Sequence, residues 1–464
     1  MTNVATANLA RRHSIFLALS VWCLFPIVAQ TPEQDVARLL QQESRFAAVP
    51  PHVFDSLGWD LPDGGAAVRG LADAAPGGAF SPEELEKLPA QKLGYRARWH
   101  VHRFRYYNLA WDITALELTP VHDSRDLPVL AIIHGGSANW YEFFVDPLNR
   151  PGLGQYLAQK IPIVLITIPG SYKPGGWTQP CEQRAPEYLV GVRLRPREVE
   201  LRNAVFTFQL VAEGVRQLLE KIEPERKLLI AGHSTGGEIQ FMLKNSSLKS
   251  RLDGRLIGWG SGPPGNIKKE FDEARGARAG RVESSRHRSA SEVRGRTPEE
   301  YVSSRYIGPL NPVPGKSPLE VARGWFERES RRRPQFKQTL QDIEHQGMTE
   351  HQERLRREIV EALKDNPYKI QPEDVLRDLF APSRSPLQGY QKMVWVVANL
   401  DNGHWNKNPE EALEMTTADR FRKANPGAPI RVLMIDAPIT HYGHIEKPRQ
   451  VAGVLLEAVT WLGN

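Results

Sequence analysis

Residues Lys227 to Lys244 read KLLIAGHSTGGEIQFMLK, and the stretch changes its periodicity at a single serine. Lys227–Ala231 is a short apolar run of the kind that fills a buried strand. Glu238–Lys244 sets Ile239, Met242 and Leu243 along one side of a helix. Between them stand Gly232, His233, Ser234, Thr235 and Gly236. Alone, G-x-S-x-G is a weak signal. Set between a strand and a helix, it predicts a sharp turn that holds Ser234 above a sheet edge as a nucleophile. The glycines are required because a side chain two residues from the serine would collide within such a turn. The following helix points its first amides at negative charge developing beside Ser234. A structural turn without chemistry is the bland alternative.

Working outward, further strands bracket this turn. Trp99–Arg105 and Ile113–Leu118 read as extended, and PVLAIIH (Pro128–His134) and IPIVLITI (Ile161–Ile168) are continuous apolar runs. Arg197–Ile222 carries Val199, Ala204, Val205, Phe208, Val215, Leu218, Leu219 and Ile222 at helical spacing. RLIGWG (Arg255–Gly260), MVWVVA (Met393–Ala398) and RVLMI (Arg431–Ile435) are strands, and Gln450–Leu462 is a closing helix. Alternating strands and helices predict an α/β architecture, a doubly wound and mostly parallel sheet. No internal repeat is seen. Residues 262–391 interrupt the pattern with a charged, arginine-dense stretch that has helical patches such as Thr349–Leu363 and no convincing strand. They are expected to form a helical cap inserted between two strands, unstructured over 272–300. Residues 93–261 and 392–464 then make the core. Residues 30–92, rich in Pro, Gly and Ala, are expected to be a loosely packed leader with short helices such as Pro32–Ala47.

Two further segments surround the serine with chemistry. His134-Gly135-Gly136-Ser137 ends the strand PVLAIIH, and a glycine-rich turn there lets backbone N–H groups face the nucleophile and receive an oxyanion. Gly136 supplies one donor, and Thr235, the residue after the nucleophile, the second. Near the C-terminus, His441-Tyr442-Gly443-His444-Ile445-Glu446-Lys447-Pro448 follows RVLMI and precedes the last helix.

Strand–serine–helix, glycine turn and C-terminal histidine segment together resemble the α/β-hydrolase superfamily, in its serine esterase and lipase-like branch. The resemblance covers about residues 95–261 and 392–462, and it implies that fold, a serine nucleophile and neither metal nor organic cofactor. In many members the catalytic histidine precedes Glu-x-Pro by five residues. His441 has that spacing to Glu446, with Pro448 opening the helix, and is the expected base. His444 is the alternative, because it follows a glycine as the family's histidine commonly does, whereas Thr440 precedes His441. The acid is expected on the loop after MVWVVA, where Asp401 stands three residues past Ala398. Asp401 would orient and stabilise the charged imidazole. Asp436, next to the histidine's own strand, is the rival. The order Ser, Asp, His is that of this fold.

Trp140, Tyr141, Phe143 and Phe144 after the glycine turn, with Trp259 and Trp405 beside the insertion, either line an apolar cleft or pack the cap onto the sheet. The arginines of the insertion read as a solvated face. A net charge of +6 spread among acidic neighbours is not the concentrated patch of a nucleic-acid binder. Arg11, Arg12 and His13 precede the apolar run Ser14–Ala29, the parts of a signal peptide over residues 1–29. The run is short for a membrane span of about 20 residues. A periplasmic or extracellular protein without stable membrane insertion after cleavage is expected. Of two cysteines, Cys23 would leave with the signal, so Cys181 could form no internal disulfide. Hydrolysis of a small-molecule carboxylic ester is the expected function. Amide or thioester cleavage by the same residues is the neighbouring reading, and a non-enzymatic binding protein on a hydrolase fold is the rival class. The natural substrate and the oligomeric state are not encoded in any motif of the chain.

Overall fold

The structure is a computed structural model that describes residues 46–49, 62–74, 80–135, 140–145, 151–171, 187–260, 348–380, 388–397, 421–435 and 443–463. Among them run the strands β1 (Phe46–Val49), β2 (Tyr95–Tyr106), β3 (Leu109–Pro120), β4 (Val129–Ile133), β5 (Ile163–Thr167), β6 (Leu228–His233), β7 (Arg255–Trp259), β8 (Lys392–Val397) and β9 (Ile430–Ile435). The helices before β6 are α1 (Pro62–Ala74), α2 (Pro82–Glu86), α3 (Ala90–Leu93), α4 (Trp140–Phe144), α5 (Leu153–Leu157), α6 (Pro196–Ala204) and α7 (Phe208–Leu219). After it come α8 (Thr235–Leu243), α9 (Lys249–Leu252), α10 (Met348–Ala362), α11 (Pro372–Phe380), α12 (Gly443–Glu446) and α13 (Pro448–Gly463).

The strands form one sheet in the order β1-β9-β8-β7-β6-β4-β5-β3-β2. The pairs β2–β3 and β3–β5 are antiparallel, and every other pair is parallel. The chain leaves β4 for β5 on one side and returns to β6 on the other. At such a switch point the loops after β4 and β6 part, and a crevice opens beyond the carboxyl ends of the strands.

Side chains alternate across the sheet. Val129, Ile133, Val164, Ile166, Leu228 and Ile230 pack with residues of α6, α7 and α8, such as Val199, Leu210, Val215 and Ile239. Leu130, Ile132, Ile163, Leu165 and Leu229 pack on the other face with Phe143, Leu153, Leu157, Val454 and Leu455. Both faces are therefore dry, which is why these strands read as unbroken apolar runs. Each such buried aliphatic side chain contributes about 1.5 to 3 kcal/mol relative to leaving it exposed.

Three features differ from the sequence reading. The long helix expected over Arg197–Ile222 is two helices, because the Thr207 side chain accepts from the Leu210 amide and caps a new start. The segment before residue 93 adds β1, which pairs in parallel with β9 from Phe46↔Val432 to Val49↔Ile435. That segment also buries Val68, Phe80 and Leu85 in the core. Its glycines include close contacts rather than slack: a Cβ on Gly65 would lie 2.9 Å from Pro151 Cγ.

Residues 262–347 and 381–387 of the expected cap, the expected helix Pro32–Ala47 apart from its last two residues, Trp405 and Cys181 lie outside the described residues. The described part of the insertion, α10 and α11, packs Ile359, Leu363, Ile370 and Val375 with the α6–α7 side of the core. Tyr106 and Tyr107, at the β2–β3 hairpin, both donate to Asp378 of α11.

Candidate active site

Ser234 follows the last residue of β6 and caps α8, with φ 54° and ψ −123°. A non-glycine residue held there costs on the order of 1 to 3 kcal/mol and persists only where its surroundings enforce it. They do so through the backbone. Ser234 N donates to Trp259 O at 3.3 Å, and Gly237 N donates to Ser234 O at 2.9 Å. A Cβ on Gly232 would lie 2.3 Å from Gly236 O, and one on Gly236 would lie 2.2 Å from Ile133 O. The two glycines thus let the end of β6, the first turn of α8 and the end of β4 interlock, as the sequence pattern predicts.

Gln240 completes the lock and was not singled out in the sequence. Its Oε1 accepts from Gly232 N at 2.8 Å, and its Nε2 donates to Ile257 O at 3.0 Å. The one available signal is a polar residue between Ile239 and Phe241 on a helix that otherwise buries apolar side chains.

Beside the serine stands the glycine turn after β4. A Cβ on Gly135 would lie 2.9 Å from Ser234 Cβ, so this backbone touches the nucleophile's own side chain. The buried ring of His134 orders the turn. Ile168 N donates to His134 Nε2 at 3.1 Å, so that nitrogen is an acceptor and Nδ1 carries the hydrogen. Nδ1 then donates to Gly135 O at 2.6 Å. The next described segment is anchored as well, by Trp140 N donating to Thr167 Oγ1 at 2.9 Å.

Of the expected site residues, Ser234, Thr235 and His444 are described, whereas Gly136, Asp401, Asp436 and His441 lie outside the described residues. Thr235 opens α8 directly after Ser234. In the chain Asp401 follows β8 and His441 follows β9, and both strands run parallel to β6 in the same sheet.

His444 is drawn into the core. Its Nε2 lies 3.2 Å from Glu142 Oε1, and its ring is enclosed by Phe143, His233 and Trp259. Trp140, Tyr141, Phe143 and Phe144 are at most 1% exposed, and Phe80 and Trp99 cover part of this cluster. Among the described residues they pack the interior. Glu238, half-buried on the first turn of α8, has its carboxyl pushed by burial up to about 8. Among the described residues no group of three or more His, Cys, Asp or Glu side chains is placed to hold a metal.

No family model and no curated protein matches the chain. It is similar to solved structures at low identity. A membrane phospholipase A described as a bacterial virulence factor is 15% identical, with 98% of this chain and 99% of that one covered at a TM-score of 0.41. An esterase of M. tuberculosis is 13% identical, with 82% and 99% covered at 0.37. A haloalkane dehalogenase from Bradyrhizobium elkani is 15% identical, with 78% and 100% covered at 0.39. Likeness at this level carries no substrate across, because the same fold hosts many chemistries. The fold follows from the chain's own geometry: the order β2-β3-β5-β4-β6-β7-β8-β9 with β3 antiparallel to both neighbours, and a strained serine turn at the end of β6 against a glycine turn at the end of β4. By these features the chain has the fold of the α/β-hydrolase superfamily.

Proposed function

We propose that the protein is an exported serine hydrolase that cleaves a small-molecule carboxylic ester through an acyl-enzyme. The observation that carries this reading is the backbone of Ser234, held at φ 54° at the switch point of the sheet with Gly135 against its side chain. That geometry costs stability, and strain retained at one serine beside an amide-rich turn is the mark of a nucleophile.

In the reaction Ser234 Oγ attacks the acyl carbon while His441 takes its proton. Asp401 holds the imidazole and balances its charge. The carbonyl oxygen becomes an oxyanion, which the N–H groups of Gly136 and Thr235 receive. The carbon–alkoxy bond then breaks, and His441 returns the proton to the departing alcohol, leaving an ester on Ser234. Water, deprotonated by His441, attacks that ester, and collapse of the second oxyanion releases the carboxylic acid and restores the serine. The glycine turn fits this scheme because His134 Nδ1 donates to Gly135 O, which orders the backbone leading to Gly136.

Labelling with a fluorophosphonate and turnover of p-nitrophenyl esters of graded chain length test the reading. Ser234→Ala is expected to abolish both while leaving the circular dichroism spectrum unchanged. Labelling of the folded variant at the wild-type level would overturn it.

A further inference from the structure

The rings beneath Ser234 join two segments that are far apart in the sequence. Glu142 lies in α4, which follows the glycine turn after β4, and His444 lies in α12, which follows residues 436–442. Strands β4 and β9 stand on opposite sides of β6, so a contact between α4 and α12 spans the strand end that carries the serine. The contact is a polar one in a dry place. His444 Nε2 and Glu142 Oε1 are 3.2 Å apart, with side chains 1% and 8% exposed. Phe143 stacks on the imidazole with centroids 4.5 Å apart and planes 15° from parallel, which fixes the ring plane. His233, next to the serine, meets the same ring at 4.6 Å and 65°.

For stability alone this is a poor device. Apolar side chains of the same volume often serve a buried position as well as an ionisable pair does, whereas a polar pair selects one register among several. The register at stake here is that of α4, which follows Gly136 in the chain, against α12, which follows His441. We propose that Glu142 and His444 are positioning residues, whose contact holds α12, next in the chain after His441, in register with α4, next after Gly136, across the end of β6. This rests on the serine-hydrolase reading and adds to it two side chains that never touch the substrate.

The test compares Glu142→Gln, Glu142→Asp, Glu142→Ala and His444→Ala in the full chain, with kcat expressed per site titrated by fluorophosphonate. A misplacement of the order of 1 Å costs up to about 100-fold, so both alanine variants are expected to lose about 10- to 100-fold in kcat with little change in KM. Glu142→Gln keeps the reach and an acceptor for Nε2–H and is expected to recover most of kcat. Glu142→Asp keeps the charge but withdraws it by one methylene and is expected to stay impaired. Should the alanine variants fail to fold, the ranking of Gln above Asp still decides the matter. Unchanged kcat per titrated site in the variants that fold, or Asp ranking above Gln, would overturn the proposal. So would an inert His444→Ala beside an active His441→Ala, which would make His444 the base. A wild-type chain that neither labels nor turns over would overturn the serine-hydrolase reading, and the positioning role with it.

Discussion

Glu238 stands four residues after Ser234, on the first turn of the helix that the nucleophile caps. With its carboxyl pushed up to about 8 by burial, it holds its proton in the folded chain at pH values where the unfolded chain, near 4.5, has lost it. The folded state therefore binds the extra proton between those values. The stability this represents is complete below about 4.5 and falls as pH rises to about 8, beyond which it is gone. Glu238→Gln should have the wild-type unfolding temperature near pH 4 and a higher one at pH 9. A gap that is the same at both pH values would show that the carboxyl ionises freely. The residues around it differ in how openly the sequence announced them. Ser234, Gly232 and Gly236 were legible because their roles are settled within five consecutive positions. Gln240, His134 and Glu142 were not, because what each side chain does depends on a partner that only the folded sheet brings near. Glu142 sat unnoticed inside Trp140–Phe144 as the one acid in an aromatic run.

At the scale of elements, the strands β4 to β9 were legible because burial on both faces leaves short continuous apolar runs bounded by turn residues. What escaped were elements whose reason lies elsewhere. Strand β1 is the four residues FAAV, too short and too small to signal a strand without its partner β9. The break between α6 and α7 hangs on one threonine that fits the helical period as well as any polar residue. The leader's proline and glycine suggested slack, yet Phe80 is 1% exposed and its ring lies 5.3 Å from Tyr141 and 6.1 Å from both Trp140 and Phe144. Truncating a buried phenylalanine costs about 3 to 5 kcal/mol. Phe80→Ala is therefore expected to lower the urea midpoint markedly at unchanged slope. A wild-type midpoint would show that the leader can be dispensed with, despite its contacts.

The whole molecule raises the matter of export. Cleavage after residue 29 would leave β1 within the mature chain, so removal of the signal and completion of the sheet are compatible. Mass spectrometry of the protein from an exporting bacterial host is expected to find an N-terminus near residue 30. An intact Met1 in the soluble cytoplasmic fraction would contradict this. The place of β1 has a consequence for timing. Phe46 is synthesised long before its partner Val432. Contacts of such span are slow to form because the intervening loop must close before any pairing rewards it. The sheet therefore cannot be finished until Val432 has been made, and β1 waits without its partner until then. With export as proposed, the strand that completes the sheet is also the one nearest the segment that leads the chain out.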